Sequence, residues 1–352
     1  MMGPLDRIVV AGGGGFIGGH LVARLLREGF RSVVSVDVKD LGEWHQLHPG
    51  ARNIRGDLKD LETCRRVTGG AKWVFNLAAD MGGMGFIENN KAACMLSVLI
   101  NTHLLMAARE NAVERFFYAS SACVYAADRQ TDADVIPLRE EDAYPAMPED
   151  GYGWEKLFSE RMCRHFTEDF GLETRVARFH NVYGPLGTWD GGREKAPAAI
   201  SRKVATAAVS GDHRIEIWGD GGQTRSFMYV DDCVEGILRL FASDVHEPVN
   251  LGSDETVSVD QLVSLVESIA GVRLTRCYDL GAPKGVRGRS SDNTRILDLL
   301  GWAPSTSLAD GMTTTYRWVL DQVHAGGAGQ PPAGGAGHPP AGVDMRSTLL
   351  AG

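Results

Sequence analysis

Tyr152 and Lys156 form a Tyr-x-x-x-Lys pair one helical turn apart. A tyrosine hydroxyl titrates near pH ~10 and is a poor base at neutral pH. An ammonium on the same helix face favours the phenolate and draws that value down. The pair reads as a tuned proton acceptor. Far upstream, Gly12, Gly15 and Gly18 space a glycine-rich turn that also holds Gly13, Gly14, Phe16 and Ile17. Such a turn lets backbone N–H groups approach a pyrophosphate at a helix N-terminus. A glycine run alone is often only a turn; this one follows a short buried strand and opens an amphipathic helix, the context that a dinucleotide site requires. Ser121 lies at the end of a later strand, where open α/β sheets gather their ligands. Its hydroxyl can bond a sugar hydroxyl and the carbonyl formed from it. The chemistry implied is proton transfer coupled to hydride transfer.

Asp37 ends the second expected strand, where a carboxylate can accept from both ribose hydroxyls. The same charge would repel a 2′-phosphate, so NAD is expected over NADP. Asp57, in the pair Asp57-Leu58 after the third strand, can hold the adenine amino group. Leu58 and Ala78, at the ends of the third and fourth strands, belong to the expected cofactor set, as do Tyr152 and Lys156, the lysine able to bind the nicotinamide ribose. Taken singly, each aspartate is equally a loop carboxylate or a cap.

Strands are expected at residues 7–11, 32–37, 53–58, 73–78 and 115–120, with helices at 16–28 and 94–111 between them. Alternation of this kind predicts an α/β fold, a Rossmann-type doubly wound parallel sheet. Tyr152–Phe170 is a long helix and 174–179 the next strand. Beyond residue 180 the elements shorten and loops lengthen. We divide the chain into an NAD-binding domain (1–180), a smaller C-terminal α/β substrate-binding lobe interleaved with it (181–324), and a Gly/Ala/Pro-rich tail (325–352) too poor in apolar residues to pack and expected to be disordered.

The 352 residues carry a net charge of −9 and a pI near 5.6. No long basic run occurs, which argues against nucleic acid and anionic membranes as partners. The six cysteines are scattered, with neither zinc-site nor disulfide spacing, so a reducing, cytoplasmic setting is expected, with no metal. No signal peptide or membrane-length apolar run stands out. An acidic protein that binds a diphosphate needs a local basic pocket, for which Lys203, Arg225, Arg287 and Arg289 are candidates.

The strand-end Ser, Tyr152 and Lys156 behind a glycine-rich turn resemble the extended short-chain dehydrogenase/reductase family, whose members modify nucleotide sugars. Within it the runs Asn76–Phe86, Phe117–Cys123, Arg178–Pro185, Gly191–Pro197, Trp218–Gly221, Gln223–Ser226 and Gly285–Arg289 are similar to the branch that acts on GDP-mannose beside a 4-keto carbon. That resemblance implies that Cys123 and Lys195 are an acid/base pair. It further implies that Gly82, Gly83, Asn181, Glu194, Ala196, Lys203, Gln223, Arg225 and Arg289 bind a GDP-sugar, and that the protein is a homodimer. The physics is consistent: a 4-keto sugar acidifies its C3 and C5 protons, and inversion needs one group on each face of the ring. A thiol and an amine can both be tuned towards neutrality. A 4-epimerase of a UDP- or GDP-sugar is the alternative enzyme. A non-catalytic NAD-sensing or scaffold protein is the alternative of another class.

Overall fold

The computed structural model describes residues 3–134, 136–282 and 285–326. The tail from residue 327 on, and the disorder expected for it, lie outside the described residues. Six strands come first: β1 (Ile8–Ala11), β2 (Val33–Asp37), β3 (Arg52–Arg55), β4 (Trp73–Asn76), β5 (Arg115–Ser121) and β6 (Glu173–Phe179). Then follow β7 (Val182–Tyr183), β8 (Arg214–Trp218), β9 (Thr224–Ser226), β10 (Met228–Tyr229), β11 (Val249–Leu251), β12 (Thr256–Ser258), β13 (Thr275–Asp279) and β14 (Gly288–Arg289). The helices are α1 (Phe16–Arg27), α2 (Leu61–Thr68), α3 (Met84–Asn89), α4 (Lys91–Met95), α5 (Ser97–Glu110), α6 (Tyr152–Phe170), α7 (Ala196–Ser210), α8 (Val230–Ala242), α9 (Val259–Ala270), α10 (Thr294–Leu300) and α11 (Leu308–Gly326).

Seven parallel strands form the main sheet in the order β11-β6-β5-β4-β1-β2-β3. β1, β2 and β4 are buried along their whole length, as a sheet covered on both faces demands. Ile8 and Val10 join one core with α1 and α8, whereas Val9 and Ala11 join a second with α2, α5 and α6, which is the period-2 alternation of a strand. A third core, built from α7, α9, α11 and β8, lies in the C-terminal part of the chain. That part is not separate from the sheet: β11 pairs with β6, and α8 packs on α1.

Two elements depart from the sequence expectation. β3 stops at Arg55: the Gly56 N–H makes the last ladder bond, to the Asp37 carbonyl at 2.8 Å, and the chain then turns, the Asp57 carboxylate accepting from the Lys59 N–H at 2.9 Å and the Asp57 carbonyl from the Asp60 N–H at 3.2 Å. The helix expected at 94–111 is two helices, α4 and α5, that meet at Leu96. Together they form a 20-residue run, Lys91–Glu110, with mean hydropathy 1.4, long and apolar enough by composition to cross a membrane. A membrane-length run is thus present after all. Its Leu104, Leu105, Ala107 and Ala108 are buried in the core under the sheet, against α2 and α6.

Candidate active site

The cofactor half is built at the carboxyl ends of β1, β2 and β4. Gly12 has φ +79°, and a Cβ there would meet the Ala78 nitrogen at 2.9 Å. Only glycine lets the β1 turn and the β4 end approach this closely. Gly15 is the N-cap of α1; the first turn has no side-chain cap and no acidic residue. The N–H groups of Phe16, Ile17 and Gly18 therefore present the positive end of the helix to an anion. Asp37 is buried at the end of β2, with one oxygen accepting from the Lys39 N–H at 3.2 Å. Its second oxygen is suited to a ribose diol. Ala78 is held by the Asn76 side chain at 3.2 Å, and Asn76 is braced by Asn101 at 3.1 Å. These residues fit NAD. Asp57 and Leu58 are less direct: Asp57 is exposed and engaged with Lys59, and the Leu58 side chain is in the core.

The chemistry-bearing half joins β5 to α6. Lys156 is buried and donates to the Ala119 carbonyl at 3.0 Å, with its ammonium 5.4 Å from the Tyr152 ring centroid. A Cβ on Gly153 would meet the Cys123 carbonyl at 2.3 Å. The glycine after Tyr152 thus lets α6 seat its first turn directly on the Cys123 backbone. Tyr152, Cys123, Cys94 and Ile87 form one buried cluster. Beneath them Glu160 accepts from Ser120 at 2.5 Å and from Arg178 at 2.7 and 2.9 Å, tying β5, β6 and α6 together.

Tuning of the site differs from the sequence expectation in two places. Burial pushes the Tyr152 hydroxyl well above its ordinary value, and the Cys123 and Glu155 charges add to this, while the Ser121 hydroxyl opposes it. Lys156 does not overcome that burial in the free protein. Burial and then Glu149 push the Cys123 thiol up to about 11, against the pull of Arg289 and Ser121. The thiol is therefore not tuned towards neutrality. Lys195, half-buried at the N-cap of α7, behaves as expected: burial lowers its pKa, while Cys123 opposes the fall.

A basic group surrounds Cys123. Arg289 is buried; its Nη1 donates to the Cys123 sulfur at 3.6 Å, its Nε to Gln130 at 2.6 Å and its Nη2 to Glu149. Arg225 bonds backbone carbonyls of Thr224 and Val286 at 2.6 and 2.5 Å, and burial drops it to about 10. β9 and β14 pair side by side, which is why Arg225 and Arg289 are neighbours. Arg287 is not part of this group: its side chain pairs with Asp220 at 2.7 Å, half exposed. Lys203 donates to the Glu216 carbonyl at 2.9 Å and lies over Trp218. Gln223 donates to the Trp218 carbonyl at 2.8 Å, leaving its buried Oε1 without a hydrogen bond. Asn181, at φ +43°, holds the Ser226 carbonyl at 3.0 Å.

The Gly83 N–H donates to the Arg193 carbonyl at 3.1 Å, which brings Gly82 and Gly83 beside the Glu194-Lys195-Ala196 segment. The Glu194 carboxylate is taken by Arg202 at 2.8 Å and the Gly192 N–H at 2.7 Å, so it braces the loop. Sequence reasoning missed Glu149 and Gln130, the partners of Arg289. Neither belongs to a spaced motif, and only the folded loops carry them to the site.

The model of the NAD dependent epimerase/dehydratase family matches residues 8–252. GDP-mannose 3,5-epimerase 1 of Oryza sativa subsp. japonica is 49% identical over 318 residues, covering 90% of this chain and 82% of that protein. GDP-mannose 3,5-epimerase of Arabidopsis thaliana is 47% identical over 318 residues, covering 90% and 83%. Among solved structures, a UDP-glucose 4-epimerase of Thermotoga maritima with UDP-glucose superposes at TM-score 0.81 with 26% identity, over 90% of this chain and 99% of that one. MoeE5 in complex with UDP-glucose and NAD superposes at 0.72 with 30% identity, over 90% and 100%.

Proposed function

From a chain that belongs to the NAD dependent epimerase/dehydratase family, we propose an enzyme that epimerises GDP-mannose at C5, with C3 as a second possible centre, through a 4-keto sugar. The observation that carries this reading is the placement of Cys123 beside Tyr152 in one buried cluster, with the segment that bears Lys195 held alongside it by the Gly83 N–H to Arg193 carbonyl bond. A 4-epimerase needs the tyrosine alone; a second acid/base pair is required only where a C–H beside the carbonyl is also exchanged.

NAD, held at Gly12–Gly18, Asp37 and Ala78, supplies the hydride acceptor and donor for C4. Tyr152 takes the O4 proton and returns it, with Ser121 hydrogen-bonded to the same oxygen. The free protein holds Cys123 as a thiol, and burial weakens the Lys195 ammonium. The pair thus begins with a proton on sulfur and an amine that gives up its own more readily. Proton removal by one and return by the other inverts the centre. Arg225 and Arg289 supply positive charge for the diphosphate; Asn181, Lys203 and Gln223 line the rest of the sugar nucleotide. Arg287 is a rim charge in this scheme.

A homodimer in a reducing, cytoplasmic setting completes the proposal. Met95, Leu96 and Leu99, together with Trp154 and Phe158, are exposed on the packed helices α4, α5 and α6, an apolar face that a second copy would cover. The six cysteines are free.

Incubation with GDP-mannose in D₂O, with products identified by NMR, is the deciding experiment. Deuterium at C5 with the C5 epimer formed supports the proposal, and C3 inversion extends it. A product inverted only at C4, with no deuterium gained, overturns it in favour of the 4-epimerase.

A further inference from the structure

The scheme leaves Glu149 unused, although it is a largely buried carboxylate beside Cys123. Its side chain is 11% exposed. Its N–H donates to the Cys123 carbonyl at 3.0 Å, which fixes it to the segment carrying the thiol. One carboxylate oxygen is occupied by the buried Arg289 guanidinium. The other, Oε2, is buried without a hydrogen-bond partner, a costly state unless the group has work to do. Glu149 also lines a cavity of about 240 Å³ between α3, α4 and the Gly285-Val286 segment, whose mouth carries the exposed Glu88, Lys91 and Asp150. Lys91 and Asp150 pair there at 2.6 Å.

The cavity therefore reaches the neighbourhood of Cys123 from a side that the Ser121–Tyr152 face does not use. This bears on turnover. Removing a proton from one face of the sugar and returning it from the other leaves the two acid/base groups in exchanged protonation states. They must be reset before the next cycle. Cys123 is 6% exposed, so most of its surface faces protein and not bulk water. We infer that Glu149 is a positioning residue and proton relay for Cys123, joining the thiol to solvent through this second cavity. The inference rests on the acid/base reading of Cys123 given above. A solvent acid in the cavity protonates Oε2 as the carboxyl proton passes to the thiolate. The S–H bond forms, the carboxyl O–H bond breaks, the conjugate base leaves through the cavity, and the carboxylate ends as it began.

The charged and titratable groups acting on the thiol come from five elements: Glu149 before α6, Tyr152 on α6, Arg289 on β14, Arg225 on β9 and Lys195 at the start of α7. Glu149 raises the thiol's proton affinity and Arg289 lowers it. The two possible roles of Glu149 thus predict opposite signs. As a charge acting on the thiol, its loss makes Cys123 ionise at lower pH. As a mere brace for Arg289, its loss makes Cys123 ionise at higher pH.

The test is iodoacetamide alkylation of the NAD-loaded enzyme across pH, with the Cys123 peptide quantified by mass spectrometry. Glu149→Gln should move the midpoint down by about one unit or more, and Glu149→Asp should keep it near that of the unaltered protein. Separately, Glu149→Ala should slow deuterium uptake from D₂O by tenfold or more, and added formate, small enough for the cavity, should restore much of it. An unchanged or raised midpoint together with no formate rescue overturns the inference. If the unaltered enzyme takes up no deuterium, the functional reading fails, while the alkylation midpoints still judge Glu149 on their own.

Discussion

Tyr152, Cys123 and Lys195 each lose solvent on folding, and that loss disfavours whichever form is charged. The two acids rise and the amine falls, so burial favours the uncharged form of each. Tyr152→Phe should abolish turnover while leaving NAD bound, because the cofactor cradle lies at β1, β2 and β4; NAD content and epimerisation rate measured on the same sample check this. Near-full epimerisation by that variant would sink the tyrosine's role. Cys123→Ala and Lys195→Ala should each lower epimerisation by about 10²- to 10⁴-fold, the usual share of general acid–base catalysis. Both should still oxidise C4, seen as transient NADH absorbance. Deuterium uptake that survives both substitutions would show that the bases lie elsewhere.

At the level of elements, the junction of β6 and β11 is where the sheet meets the second part of the chain. His180, just after β6, is fully buried, and its Nε2 is paired with the Asn250 side-chain oxygen at 3.0 Å. Asn250, on β11, also accepts from Tyr125 and donates to the Leu138 and Asp292 carbonyls at 2.8 and 3.2 Å. Burial lowers His180 to about 3, with Arg289 and Arg178 adding to the effect against the Asn250 bond. The folded protein therefore holds a neutral imidazole that the unfolded chain would protonate below about pH 6.5. Its contribution to stability is complete above that pH and is lost as pH falls towards about 3. Thermal melts from pH 7 to pH 5 should show a steeper decline for the unaltered protein than for His180→Gln. Equal slopes would mean that the imidazole is not kept neutral.

At the scale of the whole molecule, the exposed apolar side chains on α4, α5 and α6 set the assembly expectation. Phe158→Glu places a charge in that face and should convert a dimer to a monomer in analytical ultracentrifugation. A monomeric unaltered protein, or a variant still dimeric, would remove this face as the interface. The tail offers a complementary case. α11 continues through Gly326, so a cut belongs after that residue and not before Ala325. Because the Gly/Ala/Pro repeat that follows has almost no apolar material, a chain ending at Gly326 should keep its Tm within a few degrees and its kcat nearly unchanged. A large fall in either would show that the tail docks.

Local signals were enough for much of this protein. The glycine-rich turn, the strand-end Ser121 and the Tyr152/Lys156 pair were legible because each is a short-range pattern whose chemistry depends on neighbours within one turn or one strand. The alternation of strands and helices was legible because burial on both faces leaves β1, β2 and β4 mostly apolar, with Ser35, Asp37 and Asn76 the exceptions. Long-range assembly lay beyond those signals. Nothing local places β11 beside β6 or separates Arg287 on the rim from Arg289 in the interior: residues two apart in a strand point to the same side, but Arg287 precedes β14 and turns to Asp220, whereas Arg289 lies in β14 against Arg225 of β9. The direction of the Tyr152 and Cys123 shifts was likewise a tertiary matter. From sequence, Lys156 was the only neighbour in view, whereas in the fold desolvation by several elements outweighs one ammonium. Glu149 entered for the same reason: its N–H bonds the Cys123 carbonyl across the chain, and only folding brings its carboxylate, Arg289 and the thiol together.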